Sequence, residues 1–495
     1  MKPIVLIHGY SAESRQLSAA SIASIYGTLP KDLRASFGRG AVVEIDLARY
    51  LTLEDGIRLD DISRALQRAL EDEHPELLKK GFDAVIHSTG ALVVRNWIRR
   101  FSPLPSPLGN LIHLAGANFG SGWAHIGKGQ LAKWGRKVFD GGAERGIQIL
   151  DALELGADWT LDLHLHFLRE GCRMAEDYGV REAVAVGSQA DVQWFEFPIR
   201  YAKEDGSDGV VRVSSASLNY QYLKLAPTAD ALALGWNRAR SELSRHLERR
   251  GRRQGFYEIR EFSRPGLGGR EEIPLAIPYG CAHSGEKMGI VTGSQPREQV
   301  LRLIRRVLQP DRDPAVNRAG LVEAFRAETQ ETYRKVLATQ VPSGWRKWLD
   351  EPRAQYDHHA QVIFRLRDQD GRPVQEFDIF FDSVRGQRDP SRAMKDLIED
   401  KHVNGCSPNI LTFYLRTDAF SAEVGSWIPR VPEVNGCILE ISAVEPQTNE
   451  ILYLPLRFEF TPEELEAWIQ GDRTTLIDVE LLRLPSPSVF TMVRT

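Results

Sequence analysis

Residues 85–95 read VIHSTGALVVR, an apolar strand pattern that passes through a short turn into a helical pattern. Ser88 occupies that turn, directly after the predicted strand, so its hydroxyl would project beyond the end of the sheet. The backbone N–H of the following residue then faces the oxygen that becomes negative when a serine attacks a carbonyl. The segment therefore predicts an open α/β sheet that supports acyl chemistry.

The N-terminal segment supports this interpretation, because it repeats the pattern of a strand followed by a glycine-bearing turn. The apolar run 4–7 ends in His8, Gly9 and Tyr10. In open α/β sheets, binding and catalytic residues collect at the carboxyl ends of the strands. We therefore expect the turn after residue 7 and the turn at Ser88 to face the same crevice.

Together these segments resemble the lipase branch of the α/β-hydrolase superfamily, including bacterial lipase-like esterases and inositol-anchor deacylases. The resemblance rests on His8-Gly9, on the HSTGALVVR segment beginning at His87, and on a similar post-strand turn at 116–121. It covers roughly the first 310 residues. It implies a serine nucleophile, Ser88, and an acyl-enzyme intermediate. One departure is Ile86, which stands where the family usually has glycine, and which predicts a slightly more open turn.

A serine nucleophile needs a histidine base and an acid that orients it, and in this family the acid precedes the histidine in the chain. Asp208, followed by Gly209 and Val210, is similar to the family's acid segment, with Asp205 as the alternative. His283 lies in a loop between an apolar run and a helix, as the family's base does. His246 lies in an arginine-rich helical pattern and is better explained as a solvated residue.

The resemblance also implies an oxyanion hole made by the backbone N–H groups of Tyr10 and Thr89. His8 and His87 are expected to hold the loop geometry by hydrogen bonding. His164 and His166 have no third clustered ligand, so the sequence predicts neither a metal nor a cofactor.

Composition is typical of a soluble enzyme with an additional module. The chain has 495 residues, 42% of them apolar, and a formal net charge of −4, which gives no reason to expect a nucleic-acid partner. Residues 1–3 lead directly into a strand, so the sequence predicts no signal peptide, and no segment has the ~20 apolar residues that span a bilayer. We therefore expect synthesis in the cytoplasm and, if the protein is exported, a leaderless route.

The pattern of apolar residues predicts three regions. Residues 1–310 form the α/β-hydrolase domain, with a cap insertion at about 121–181 and a second insertion at about 218–272. The cap is rich in Trp, Leu and Gly and could be either a packed cap or a mobile lid. The second insertion contains the basic run 249–253, either a solvated helix end or a contact with anionic lipid head groups.

A helical connector at 311–354 leads to a β-rich accessory domain at 355–495, where the period of apolar residues changes from 3.6 to 2. Six short strand patterns predict an antiparallel β-sandwich. Because the three candidate catalytic residues precede Gly285, the sequence predicts that a chain cut near Pro352 keeps activity on a soluble ester.

The resemblance, together with the apolar cap, implies a lipase or phospholipase that hydrolyses carboxylic esters of lipids. The resemblance also suggests a secreted antibacterial or host-directed effector with peripheral membrane contact. The protein partner, the head group and the oligomeric state are not determined. The alternative is a catalytically weak hydrolase scaffold whose C-terminal β-domain mediates binding, for which Ile86 is the favouring feature.

Overall fold

The computed structural model describes part of the chain and divides it into two compact units. The described residues are 2–7, 25–47, 50, 56–122, 124, 147–190, 204–248, 255–309, 318–339, 353–383 and 391–490. Unit 1 comprises Met1–Leu218 and Glu271–Asp357, and unit 2 comprises Asn219–Arg270 and His358–Thr495.

Unit 1 is built on a six-stranded, entirely parallel sheet in the order β2-β1-β3-β4-β5-β8. Its strands are β1 (Ile4–Ile7), β2 (Val42–Ile45), β3 (Phe82–His87), β4 (Leu108–Leu114), β5 (Arg181–Ala185) and β8 (Leu275–Ala276). The inner strands are largely buried because both faces of a parallel sheet are covered by helices. Every residue of β1 is fully buried.

The helices of unit 1 follow the usual α/β alternation. They are α1 (Leu29–Phe37), α2 (Leu59–Asp72), α3 (Pro75–Lys80), α4 (Gly90–Phe101), α5 (Ile147–Leu153), α6 (Asp158–His166), α7 (Val213–Ala216), α10 (Arg297–Leu308) and α11 (Arg318–Ala338). Helix α2 places Ile62, Leu66 and Leu70 on its buried face, four residues apart as one face of a helix requires. All parallel strands end at one edge of the sheet, and this edge positions the candidate site.

Unit 2 contains a mixed sheet of seven strands and a second sheet of three. The elements are β6 (Gln221–Pro227), α8 (Ala229–Leu232), α9 (Trp236–Glu248), β7 (Tyr257–Ser263), β9 (His358–Asp368), β10 (Phe377–Asp382), β11 (Ile398–Val403), β12 (Ile410–Ser421), β13 (Ser426–Pro429), β14 (Cys437–Ala443), β15 (Ile451–Tyr453), β16 (Leu456–Phe460), α12 (Pro462–Trp468), β17 (Thr474–Leu481) and β18 (Arg483–Pro485). The larger sheet runs β11-β12-β9-β17-β6-β7, with β13 beside β12. The smaller sheet runs β10-β14-β16, and β15 pairs with β18.

The two sheets of unit 2 bury their apolar faces against one another. Phe364 of β9 and Phe413 of β12 lie in the larger sheet, and Phe381 of β10 lies in the smaller one. The ring centroids of Phe364 are 5.5 Å from those of Phe381 and 5.8 Å from those of Phe413, in edge-to-face geometry. The accessory region is therefore a β-sandwich, as the alternating pattern indicated.

The direction and the origin of the strands in this sandwich differ from what the sequence predicted. Strand β17 runs parallel to both β6 and β9, so the larger sheet is mixed and not antiparallel. The segment 219–270, expected as an insertion within the hydrolase domain, contributes β6 and β7 to this sheet. Strand pairing between distant segments leaves no periodic signal in either of them, so the sequence alone could not join them. The connector at 311–354 and the residues up to Asp357 belong to unit 1.

Candidate active site

Ser88 lies in the turn between β3 and α4, at the carboxyl edge of the sheet of unit 1. Its φ angle is +53°, the left-handed region that non-glycine residues seldom adopt. Backbone hydrogen bonds hold the residue there: Ser88 N–H donates to the Leu114 carbonyl at 3.3 Å, and the Ser88 carbonyl accepts from Ala91 and Ala117 N–H, both at 3.2 Å. This is the strained strand-to-helix turn that the VIHSTGALVVR segment predicted. Ile86 is fully buried within β3.

Ser88, His283 and Asp208 form a continuous hydrogen-bonded chain. His283 Nδ1 lies 2.9 Å from Asp208 Oδ2, and His283 Nε2 lies 3.1 Å from Ser88 Oγ. A carboxylate only accepts, so Nδ1 carries the proton and donates to Asp208, and Nε2 can accept the serine proton. Asp208 is 1% exposed and His283 is 7% exposed. The arrangement can therefore remove a proton from Ser88 within a site that is largely shielded from water.

The structure distinguishes between the two candidate acids. Asp208 contacts His283 with one carboxylate oxygen, and its other oxygen accepts from the backbone N–H groups of Val210 at 3.0 Å and Val211 at 2.7 Å. Because the two carboxylate oxygens have different hydrogen-bond partners, the orientation of the carboxylate is fixed. Asp205 is half-buried and lies three residues earlier in the same loop. The structure brings Asp208, and not Asp205, to the histidine.

The loop that carries His283 is attached directly to the loop that carries Asp208. His283 N–H donates to the Asp208 carbonyl at 3.0 Å, alongside the side-chain contact. The loop also packs tightly against the end of β5, since a Cβ on Gly187 would lie 2.0 Å from the Cys281 carbonyl oxygen. His246, the other histidine considered, belongs to α9 of unit 2.

His87 supports His283 from the last position of β3. Its Nε2 lies 3.2 Å from the His283 carbonyl oxygen, and the two ring centroids are 4.7 Å apart. Burial, with the neighbouring His283, keeps the pKa of His87 well below its ordinary value. The ring is therefore neutral, with the proton on Nε2 donated to the carbonyl. The expectation that His87 holds loop geometry agrees with this contact, whereas His8 lies outside the described residues.

Of the two residues expected to donate to the oxyanion, Thr89 is among the described residues and Tyr10 is not. Thr89 lies directly after Ser88 and immediately before α4, and it is 3% exposed.

The turn after β4 joins the serine turn to the acid loop, a role that the sequence did not reveal. Ala117 N–H donates to the Ser88 carbonyl, and the Asn118 side-chain amide donates to the Ala216 carbonyl at 2.7 Å. Ser121 Oγ–H donates to the Val210 carbonyl at 2.5 Å. The family resemblance predicted a turn at residues 116–121. Its hydrogen bonds to the serine turn and to the acid loop are seen only in the structure.

A buried ion pair anchors helix α4, which follows the serine. The Arg95 guanidinium on α4 contacts the Glu182 carboxylate on β5, which also accepts a hydrogen bond from His113 Nε2 at 3.1 Å. Burial alone would raise the pKa of Glu182, but the charge of Arg95 and the hydrogen bond from His113 outweigh it and hold the pKa at about 2. Glu182 is thus a buried carboxylate whose charge is compensated.

The described part of the cap insertion includes α5 and α6, in which Ile149, Leu153 and Leu161 are buried whereas Ile147 is exposed. His164 Nε2 donates to the Asn118 carbonyl, while His166 Nε2 lies 3.4 Å from the Tyr178 hydroxyl. The two histidines therefore have different partners. Among the described residues, no group of three or more His, Cys, Asp or Glu is arranged to hold a metal ion. Trp123, Trp134 and the basic run 249–253 lie outside them.

Comparison with solved structures identifies the fold. Phospholipase PlaB from Legionella pneumophila matches with a TM-score of 0.72 and 22% identity, over 100% of this chain and 97% of its own. The same protein in complex with thio-NAD matches with a TM-score of 0.73, at the same identity and coverage. The mature lipase BlEst2 from Bacillus licheniformis aligns over 43% of this chain and 78% of its own, at 14% identity, with a TM-score of only 0.33.

The full-length match to phospholipase PlaB confirms the predicted fold class, a parallel α/β sheet followed by a C-terminal β-rich region. No protein-family model matches the chain, and a search of curated proteins finds no match. In the described part of the chain, no helix is both long enough and apolar enough to cross a membrane.

Proposed function

We propose that this protein is a serine hydrolase that cleaves carboxylic esters of lipids through an acyl-enzyme. The observation that carries the proposal is the hydrogen-bonded chain from Ser88 through His283 to Asp208, on loops at the carboxyl edge of the parallel sheet. Nucleophile, base and orienting acid in hydrogen-bond contact are the geometric signature of covalent acyl transfer.

In the first half of the reaction, Ser88 Oγ attacks the ester carbonyl while His283 Nε2 takes its proton. Asp208 holds the Nδ1 proton of the ring and stabilises the imidazolium that forms. The carbonyl oxygen becomes negative, and the backbone N–H groups of Thr89 and Tyr10 are the proposed donors that stabilise it. As the tetrahedral intermediate collapses, His283 passes its proton to the departing alcohol, which leaves the acyl group on Ser88.

In the second half, a water molecule attacks the acyl-enzyme while His283 again acts as the base. Proton return to Ser88 Oγ releases the fatty acid and restores the starting state. The neutral His87 ring assists both halves without exchanging protons, because its hydrogen bond fixes the backbone of His283. Apart from the ester and this water molecule, the proposed reaction uses only side chains and backbone groups of the chain.

The choice of lipid esters rests on two supporting observations. The full-length structural match is a protein named as a phospholipase. The second is the insertion between β4 and β5, proposed as a cap over the substrate, whose described helices carry apolar residues such as Ile149, Leu153 and Leu161. An apolar cap suits an acyl chain better than a polar substrate.

Two assays with one variant test the proposal. A fluorophosphonate probe should label the wild-type protein at Ser88, and the protein should release free fatty acid from phosphatidylcholine vesicles or from a triacylglycerol emulsion. Ser88→Ala should abolish both signals. A correctly folded wild-type protein without a covalent adduct would favour the alternative, a hydrolase scaffold that acts through binding.

A further inference from the structure

We propose that Tyr356 is a positioning residue, which together with the carbonyl group of Gln355 holds the Asp208 loop and the His283 loop in catalytic register. The three residues Ala354–Tyr356, here named the strap, form a single 3-10 turn at the end of unit 1. The inference rests on the proposed function, because the register matters only if Asp208 and His283 act on Ser88.

Tyr356 contacts the backbone of the His283 loop. Its hydroxyl oxygen accepts from Gly280 N–H at 3.1 Å and donates to the side-chain carbonyl of Gln189 at 3.3 Å. Gln189 N–H in turn donates to the Cys281 carbonyl at 3.3 Å. Tyr356, Gly280, Cys281 and Gln189 thus form a closed ring of contacts three residues before His283.

Gln355 contacts the Asp208 loop through its backbone. Its carbonyl oxygen accepts from Gly206 N–H at 3.0 Å and from Ser188 Oγ–H at 2.7 Å. Gly206 lies two residues before Asp208. Consecutive residues of one turn therefore hold the loop of the acid and the loop of the base.

Both residues that the strap contacts are glycines in the left-handed region, and they have no side chains that could hold their loops in place. Gly206 has a φ of +68° and Gly280 a φ of +60°. The positive φ is what favours glycine at position 280, since the atom nearest to an added Cβ, Gln295 Nε2 at 2.2 Å, is the end of a flexible side chain. A backbone without side-chain anchors depends on its N–H contacts for position, and here the strap supplies them.

The surroundings of Tyr356 suit a fixed support. The residue is 1% exposed, and its ring meets the ring of Tyr333 on α11 edge to face, with centroids 6.0 Å apart. Burial raises the pKa of the phenol, so the hydroxyl stays protonated and can donate and accept at once. No side chain of the strap contacts Ser88, so Tyr356 acts through the two loops and not on the substrate.

The variant Tyr356→Phe removes only the hydroxyl and tests the role in the full-length protein. A small displacement of a catalytic group lowers the rate of the chemical step more than it lowers substrate binding. We expect kcat on a short p-nitrophenyl ester to fall at least tenfold, on the order of what sub-ångström misalignment costs, with KM within twofold of wild type. Amide hydrogen exchange should accelerate in peptides covering 277–285 and 204–211.

A second buried tyrosine provides the matched control. The Tyr257 hydroxyl, in unit 2, donates to the Leu454 carbonyl at 2.5 Å and accepts from Leu482 N–H at 3.3 Å. Tyr257→Phe therefore loses the same kinds of hydrogen bond from a comparably buried position. It should lower Tm by a similar amount, leave kcat unchanged and leave exchange at 277–285 unchanged.

If Tyr356→Phe does not fold, Ser188→Ala removes a donor to the Gln355 carbonyl and should produce a smaller loss in kcat alone. Wild-type kcat and exchange rates in Tyr356→Phe, or equal losses of kcat in Tyr356→Phe and Tyr257→Phe, would overturn the inference. An inactive wild-type protein would overturn the proposed function instead, and the exchange measurement would still report whether the strap holds the two loops.

Discussion

Units 1 and 2 are both built around β-sheets, but their sheets are assembled from the chain in different ways. In unit 1, the neighbouring strands β3, β4 and β5 follow one another along the chain, and the candidate residues lie directly after strands or in adjoining loops. In unit 2, the neighbours β17 and β6 are separated by most of the C-terminal half of the chain. Short sequence motifs can predict a site at the ends of consecutive strands. They cannot predict the pairing of strands that are distant in the chain.

The two units also differ in the role that each can be assigned: unit 1 carries the candidate active site, and unit 2 carries a packed β-sandwich core. The hydrogen-bonded chain of Ser88, His283 and Asp208 lies wholly within unit 1. Unit 2 has a sandwich core of aromatic and aliphatic side chains shared by its two sheets. Unit 1 is therefore the unit that we expect to respond in activity, and unit 2 the one that we expect to respond in folding.

The largest expected effect comes from a stop codon after Pro352. The truncated chain keeps β6 and β7 but lacks β9 and β17, the strands that complete their sheet, and it also loses the strap. We expect an aggregated product without esterase activity, measured by size-exclusion chromatography and p-nitrophenyl ester turnover. This reverses the expectation drawn from the sequence alone. A soluble fragment with wild-type turnover would show that β9, β17 and the strap are dispensable for folding and catalysis.

Ser88→Ala should abolish catalysis while leaving both units folded. In a well-studied serine hydrolase, removing the nucleophile lowers kcat by about 10⁶, and we expect a loss of that order here. The thermal midpoint should change little, because the hydroxyl is partly exposed and contributes little packing. Ester turnover and differential scanning calorimetry on the same preparation measure both. Residual turnover above background in a pure sample would transfer the nucleophile role to another residue.

Asp208→Asn should have the next largest effect, with kcat reduced by a factor on the order of 10⁴, since the amide favours the wrong tautomer of the base. The matched control is Asp205→Asn in the same loop, whose carboxylate is not the one in contact with His283. It should retain activity within a few-fold of wild type. The reverse ranking in a kcat measurement would assign the acid role to Asp205.

The smallest effect concerns the pH dependence of stability and the buried Glu182. Its folded-state pKa of about 2 lies below the ordinary carboxyl value, so its charge stabilises the fold above that value. This contribution is lost as the pH falls from about 4.5 towards about 2. Glu182→Gln should therefore show a shallower decline of unfolding free energy between pH 5 and pH 3 than wild type, measured by urea denaturation.

An exposed carboxylate offers the control for that measurement. Glu423 lies on the surface of unit 2, so Glu423→Gln makes the same chemical change without burial. Its stability profile should follow that of wild type. If the profiles of all three proteins were parallel, the Arg95–Glu182 pair would contribute no pH dependence.

The sequence was sufficient to predict the parts of the fold that depend on local pattern. The segment containing Ser88 predicted a strand, a strained turn and a helix, and the structure has β3, a left-handed Ser88 and α4 there. The predicted strand at residues 4–7 matches β1. In each case the determining interactions lie within a few residues of one another, so the pattern of apolar and small residues suffices.

The parts that the sequence did not predict depend on contacts between distant residues. Gln355 acts through its backbone carbonyl and Tyr356 through one hydroxyl, so neither belongs to a motif. Similarly, the parallel pairing of β17 with β6 requires a register between distant segments that no local period encodes. The roles of Ser88, Asp208 and His283 remain predictions, whose geometry the structure now supplies.

The pairing of β6 with β17 also imposes an order of events on biosynthesis. At typical translation rates, the roughly 250 residues between these strands take about 10–50 s to synthesise. Throughout this interval β6 can pair with β7 on one side only, and its other edge stays available to foreign strands. The longer this edge stays unpaired, the greater the chance that it pairs with another chain, so slower elongation in an expression host should lower the yield of folded protein.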